Sequence, residues 1–347
     1  MVREEPAKRP VAAPERRTAP ERRRAPGRLR GWGGVAAMAV ACGVAATLLP
    51  LAQHEADPGG DVPSAVPEHA SGASRARPSA DETCTDPEAG LRPSGKSGPA
   101  VDAIKKRGYL IAGVDQNSYR WGYRNPATGR LEGFDIDLVS AIAEDILGKD
   151  AKVVYRAIPT NQRIPALEQR TVDIIARTMT INCDRIRHVA FSTAYFQAGQ
   201  QVLVPKGSSV TAFDDTLRGK RVCTATGSTG EAELRKESHG ARVTTVPNQL
   251  DCLVRLQLGE ADAVVTDNAL AAGQAAQDPS VTLVGEPFTE EPYGVAMNLE
   301  DEDLVRRVNK VLEDYRESGA WMKAYKRWLA SDLKGIKGPP EPKYRKG

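Results

Sequence analysis

The sequence predicts a mixed α/β protein of two lobes joined by two crossings of the chain. Three observations predict it. Short apolar runs alternate with stretches of helical spacing from residue 101 onward, the same alternation restarts after a break near Gln201–Val204, and a strongly helical end from Asp301 to Leu329 follows the last strand. That end needs a sheet to pack on, and the second run has already used its own helices. The economical solution returns the chain to the first lobe, and two crossings make a hinge.

The chain has 347 residues, 40% of them hydrophobic but only 5% aromatic, so aliphatic side chains must build the core. Residues 1–30 hold ten of the 48 basic and four of the 45 acidic residues, a local +6 that leaves −3 for the remainder. The basicity belongs to that tail, and the folded part offers no electrostatic case for nucleic acid. Rich in Pro, Arg and Ala, residues 1–30 are expected to be a disordered cytoplasmic tail. Residues 31–53 carry no charge and are long enough to cross a bilayer, with Arg16, Arg17, Arg22–Arg24, Arg28 and Arg30 just before them. They read as an uncleaved anchor, with lipidation at Cys42 or signal cleavage as alternatives. Each places the functional part outside the membrane, and the anchor would hold it at the outer face.

Residues 54–100 are rich in Pro, Ser, Gly and Ala and read as a flexible linker. Tyr109–Val114 is a strand. Gly133–Ile142 opens a helix, with Ile136, Val139, Ile142, Ala143 and Ile146 at helical spacing. Strand 153–158, a short helix at Ile164–Glu168 and strand 172–176 complete the first βαβ run. The second run places strands at 221–225, 242–246, 263–266 and 281–284, with helices after Ser228, Asn248 and Asp267; Tyr293–Asn298 is a further strand. Lobe one therefore takes residues 101–196 plus 295–331 and lobe two residues 198–292. The crossings fall near Phe196–Val202 and Glu290–Val295, and residues 332–347 are a C-terminal tail.

Several short motifs then occur in order: Gly113–Asp115, Gly133–Leu138, Ile164–Leu167, Thr178–Arg185 followed by Ala190–Ser192, Gly227–Thr229 and Ala261–Asp267. With these the sequence resembles the polar amino-acid family (family 3) of periplasmic solute-binding proteins of ABC importers. Within it the Asp115-Gln116-Asn117 opening and four cysteines are most similar to actinobacterial glutamate-binding proteins. The resemblance implies a type II periplasmic-binding-protein-like fold with a two-strand hinge. It also implies a monomer that captures a small amino acid and delivers it to a permease and ATPase. No catalysis, cofactor or metal is implied. A membrane-tethered sensor for a signalling protein is the alternative, and a secreted cyclohexadienyl dehydratase-like enzyme a more remote one; the four His residues form no dyad by sequence.

An α-amino acid needs a planar cation for its carboxylate and a carboxylate for its ammonium. The resemblance assigns Arg185 to the first, helped by the Thr180 hydroxyl and the Thr178 backbone N–H, where the family more often has Gly at position 178. Asp267, at a strand-to-helix turn, is assigned the ammonium, or is simply a helix cap. Ser228 and Thr229 open a helix whose N–H groups can face an anion. Many family members sandwich the ligand between aromatics; here Tyr119 and Trp121 offer one wall, while the loop Ile158–Arg163 has none. A polar second wall plus Arg177, with Gln116 in reach, suits an acidic or amide side chain, although Arg177 can equally serve as a salt-bridged structural residue.

Besides Cys42, the cysteines are Cys84, Cys183, Cys223 and Cys252, without metal-ligand spacing. In an oxidising compartment they read as two disulfides with three possible connectivities. Cys223 on strand 221–225 and Cys252 on the helix after Asn248 can meet in a βαβ layout. The expected pairs are then Cys223–Cys252 and Cys84–Cys183.

Overall fold

The computed structural model describes residues 84–346. The expectations for residues 1–30, 31–53 and 54–83 lie outside them. Among the described residues no helix is long and apolar enough to cross a membrane.

The first lobe opens with α1 (Pro99–Arg107) and β1 (Leu110–Val114), then a small meander of β2 (Asn117–Ser118), β3 (Gly122–Arg124) and β4 (Leu131–Glu132). It continues through α2 (Phe134–Leu147), β5 (Val153–Ala157), α3 (Arg163–Glu168), β6 (Ile174–Ile175) and β7 (Val189–Phe191). The chain leaves along β8 (Phe196–Ala198) and builds the second lobe from β9 (Gln200–Pro205), β10 (Arg221–Ala225), α4 (Thr229–Lys236), β11 (Arg242–Val246), α5 (Gln249–Gln257), β12 (Ala263–Asp267), α6 (Asn268–Gln277) and β13 (Val281–Val284). It returns along β14 (Glu291–Tyr293), adds β15 (Ala296–Asn298) to the first sheet and ends in α7 (Glu302–Glu317) and α8 (Ala320–Trp328).

Each lobe carries a five-stranded sheet, in the orders β5-β1-β6-β15-β7 and β11-β10-β12-β9-β13. Parallel βαβ crossovers supply β5, β1 and β6 in one and β11, β10 and β12 in the other, while β15 and β9 run antiparallel to their neighbours. The antiparallel strands are where the chain enters or re-enters a lobe. Alternation along β1 sends Leu110, Ala112 and Val114 to the face covered by α1, α2, α7 and α8, and Ile111 to the face covered by α3. The apolar stripe of α7, Leu304, Val305, Val308, Val311 and Leu312, joins that first core together with Trp321, Tyr325 and Trp328 of α8.

Two strands form the hinge. β8 and β14 pair antiparallel, Phe196 opposite Tyr293, as a separate two-stranded ribbon between the lobes. Gly199, just past β8, lies where a Cβ would sit 2.5 Å from the Thr289 carbonyl, so only glycine lets the two crossings run this close. Trp121 presses its edge on both hinge aromatics, at 4.8 Å from Phe196 and 5.7 Å from Tyr293.

Three local readings change. Tyr293–Asn298 is not one strand: it divides at Gly294–Val295 into a hinge strand and a sheet strand. The long terminal helix breaks at Gly319 into α7 and α8. Residues 84–98, assigned to the flexible linker by composition, lie fixed on lobe one, as does much of the expected C-terminal tail. Cys84 is bonded to Cys183, Gly90 bridges Tyr344, and Leu91, Leu333 and Ile336 pack against the first core.

Cys223–Cys252 is the second disulfide, with Cα atoms 5.5 Å apart between β10 and α5 in the core of lobe two. It closes a loop of 29 residues in sequence, which a chain-entropy account values at about 3–4 kcal/mol. Replacing both cysteines by Ala is expected to lower unfolding stability by about that amount, read from urea melts under non-reducing conditions. Equal midpoints would contradict the assignment.

Candidate functional site

The lobes are closed on each other, and the cleft between them is lined by Thr160, Arg163, Arg177, Thr178, Thr180 and Arg185 from lobe one. Ser228, Thr229, Gln249, Asp267 and Leu270 line it from lobe two. About 290 Å³ there is not filled by protein atoms, part of it open to solvent. Closure is tight: Gly227, at φ 76°, would bring a Cβ within 3.1 Å of Asn161 Cα across the seam.

Three guanidiniums are buried here, and their surroundings differ. Arg177 forms an ion pair with Asp115 at 3.0 Å and donates to Thr160 Oγ1 at 3.1 Å. Asp115 is itself fixed by the Gln116 and Asn117 N–H groups and by Ser118 Oγ. Arg163 and Arg185 have no ion pair among the described residues. Arg185 donates to the Thr180 carbonyl at 2.8 Å and to the Gly227 carbonyl of lobe two at 3.2 Å. Arg163 donates to the Thr160 carbonyl at 2.9 Å and, at 3.3 Å, to the same Gly227 carbonyl. Burial lowers the pKa of both, and for Arg163 the positive charges of Arg185 and Arg177 push it further down. Two desolvated cations held only by carbonyls make a site that attracts anions.

Across the cleft, Asp267 ends β12. It occupies the cap position of α6 but makes no side-chain cap bond; its carboxylate takes the Tyr293 hydroxyl at 2.6 Å and the Gln200 amide N–H instead. Burial, then the negative charge of Glu291, pushes its pKa up to about 7. Asp135, at the start of α2, is likewise pushed by burial to about 7, although the Tyr195 hydroxyl and Thr178 N–H bond to it.

The structure therefore brings Arg185, Thr180, Thr178, Asp267, Arg177, Ser228 and Thr229 to one cleft, and leaves Gln116, Tyr119 and Trp121 out of its lining. Trp121 is 1% exposed, packed in the hinge core with its indole N–H on the Ala269 carbonyl. Tyr119 lies beside a separate shallow hollow against α6 and residues 329–333. The aromatic wall expected from these two is thus absent from the cleft, because the hinge aromatics draw the indole inward.

Donor roles also change. The Thr180 hydroxyl, expected to help hold the carboxylate, donates to Glu291 Oε2 instead. The Thr178 N–H is taken by Asp135 Oδ2 at 3.1 Å, and Thr178 sits at φ 43°, a left-handed conformation that suits Gly better than a β-branched residue. Ser228 Oγ caps α4 by accepting from the Glu231 N–H at 3.0 Å, and the Gly227 N–H is held by Glu231 Oε2 at 2.6 Å. Those groups are occupied within the helix start. Sequence reasoning missed Arg163, Thr160, Gln249 and Leu270. The first two stand in the loop recognised only as polar, which could have marked them. Gln249, whose Oε1 is buried without a hydrogen-bond donor, lies in the first turn of α5 and gave no local signal. Among the described residues no group of three or more His, Cys, Asp or Glu could hold a metal ion.

Residues 110–331 match the bacterial extracellular solute-binding proteins, family 3, and the chain belongs to that family. It is 36% identical over 230 residues to the ABC transporter glutamine-binding protein GlnH of Bacillus subtilis (strain 168), covering 66% of this chain and 84% of that protein. Identity to the glutamine-binding protein of Geobacillus stearothermophilus is 39% over 219 residues, 62% of this chain and 84% of that one. A solved structure of an ancestral arginine-binding protein bound to glutamine is similar at TM-score 0.61 and 37% identity, covering 64% of this chain and 98% of that one.

The raised carboxyls predict a pH dependence. An unfolded aspartic acid loses its proton near pH 4, while Asp135 and Asp267 keep theirs to about 7. The folded form binds more protons in that window, so stability falls as pH rises through it. Without added amino acid, Tm is expected to fall between about pH 4 and about pH 7, and Asp267→Asn to flatten part of the slope. A slope unchanged in that variant would contradict the raised pKa of Asp267.

Proposed function

We propose that the chain captures an acidic amino acid or its amide outside the membrane, glutamate, aspartate or glutamine, and delivers it to the permease and ATPase of an ABC importer. The observation that carries this reading is the pair of buried guanidiniums, Arg163 and Arg185, without carboxylate partners, facing Asp267 across a closed cleft. Arg185, oriented by the Thr180 carbonyl, takes the α-carboxylate, and Asp267 takes the ammonium. With Arg177 engaged by Asp115, reading of the ligand side chain passes to Arg163. The free Oε1 of Gln249 suits an amide or ammonium donor beside it.

The glutamine-binding relatives support transport rather than a signalling or dehydratase role. His188 and His239 lie outside the cleft lining, near Glu168 and Asp215. Attachment to the outer face through residues 31–53 completes the proposal. Its signal to the importer is closure about the β8–β14 ribbon, which brings the Arg185 lobe onto the Asp267 lobe.

Calorimetric titration tests it. Arg185→Ala is expected to weaken every amino acid that binds by about 100-fold or more, because a buried carboxylate is left unpaired. Arg163→Met is expected to weaken glutamate about tenfold more than glutamine. Tightest binding of lysine or arginine by the wild type would refute the reading, and equal losses for glutamate and glutamine would remove Arg163 as the side-chain reader.

A further inference from the structure

One buried carboxylate has entered the account so far only through its charge. Glu291 lies on hinge strand β14, 2% exposed. Its Oε2 accepts from Thr180 Oγ1 of lobe one at 2.5 Å and from Thr229 Oγ1 of lobe two at 2.9 Å. Its Oε1 accepts from Thr289 Oγ1 at 3.0 Å. A hydroxyl has one proton, and an ionised carboxylate only accepts. The protons of Thr180 and Thr229 are therefore both spent on Glu291, and what these side chains can show the cleft is lone pairs.

We propose that Glu291 is the positioning residue of the ammonium site, fixing the hydroxyls of Thr180 and Thr229 as acceptors beside Asp267. The inference rests on the functional reading above and adds a residue to it. The polarity of Thr229 is fixed a second time: Gln200 Nε2 donates to Thr229 Oγ1 at 3.0 Å and also to Asp267, so the amide accounts for one Thr229 lone pair and leaves the other. Thr180 Oγ1 keeps two. An ammonium offers three donors and no acceptor, and Asp267, Thr180 and Thr229 then match it one for one. A carboxylate placed there would meet only acceptors, which sets the orientation in which an amino acid enters. Because the two hydroxyls come from different lobes and meet on a hinge strand, the acceptor set is complete only when the lobes are closed.

The test is calorimetry of the full chain with glutamate and with glutamine between about pH 5 and about pH 8. Glu291→Met removes the acceptor and is expected to lower affinity about 10- to 100-fold. Glu291→Gln keeps an oxygen that accepts both protons and is expected to stay within about fivefold. Asp267 is faced by Tyr293, Gln200, Arg185, Arg163 and Glu291, and of these Glu291 is the negative neighbour that raises its pKa. Both variants should therefore move the rise of affinity with pH to lower pH, a shift that a merely structural role would not produce. An affinity of Glu291→Met within about threefold of wild type, or equal losses in both variants with the wild-type pH profile, would overturn the inference while leaving the functional reading intact. If Glu291→Met does not fold, Thr229→Val decides: a fall of about tenfold supports the inference and a change within about threefold overturns it. A wild type that binds neither amino acid overturns the functional reading, and this inference with it, before any variant is made.

Discussion

A guanidinium withdrawn from water keeps its charge only where other polar groups replace the solvent, and carbonyls replace it incompletely. Arg163 and Arg185 are in that position, and much of the molecule serves to keep them there. The loop after β5 and the segment 178–185 deliver them from lobe one. Lobe two contributes a single carbonyl, that of Gly227, to both. Holding two like charges close in a desolvated cleft is unfavourable by itself, so the closed form gains most from a ligand that brings negative charge. Asp267 completes the logic from the other side. Buried, near Glu291 and pushed up to about 7, it gains most from a group that brings positive charge. On the proposed reading, a zwitterion would answer both lobes at once.

The hinge makes this pairing reversible. β8 and β14 are three residues each, yet they carry Phe196, Tyr293 and Glu291, so the ribbon is tied to both core and cleft. Tyr293 bonds to Asp267, Glu291 to threonines of both lobes, and Trp121 packs on the ribbon from lobe one. Sparse aromatics are thus concentrated where the lobes turn on each other. The two disulfides lie off this axis. One staples lobe two internally. The other ties residue 84 beside the Arg185 segment, so the end of the chain leading to the N-terminal region is fixed to lobe one and not to the moving seam.

The architecture was legible because its elements are periodic. Strands 221–225, 242–246 and 281–284 were read with their observed ends, and the orphaned apolar stripe of residues 304–312 pointed to a return to lobe one. The meander β2–β4 escaped because strands of two or three residues are too short to show alternation. Arg185, Thr180 and Asp267 were marked by motifs whose chemistry could be argued locally. Gln249 and Glu291 were not, since their partners lie far along the chain: Thr266 and Gln274, 17 and 25 positions from Gln249, and Thr229 and Thr180, 62 and 111 from Glu291. Trp121 misled in the opposite direction: a loop aromatic near the first strand reads as a ligand wall, yet burying an indole against the hinge is the stronger force. The fixing of residues 84–98 was hidden for a similar reason, because composition reports chain flexibility and not a disulfide or a bridge to Tyr344.

The measurement closest to the central claim is a crystal structure of the protein with glutamate bound. The account predicts the α-carboxylate on Arg185, the ammonium on Asp267 and the side-chain carboxylate on Arg163, with Arg177 still paired to Asp115. Glutamate bound elsewhere, with Arg163 and Arg185 still held only by the carbonyls of Thr160, Thr180 and Gly227, would contradict it.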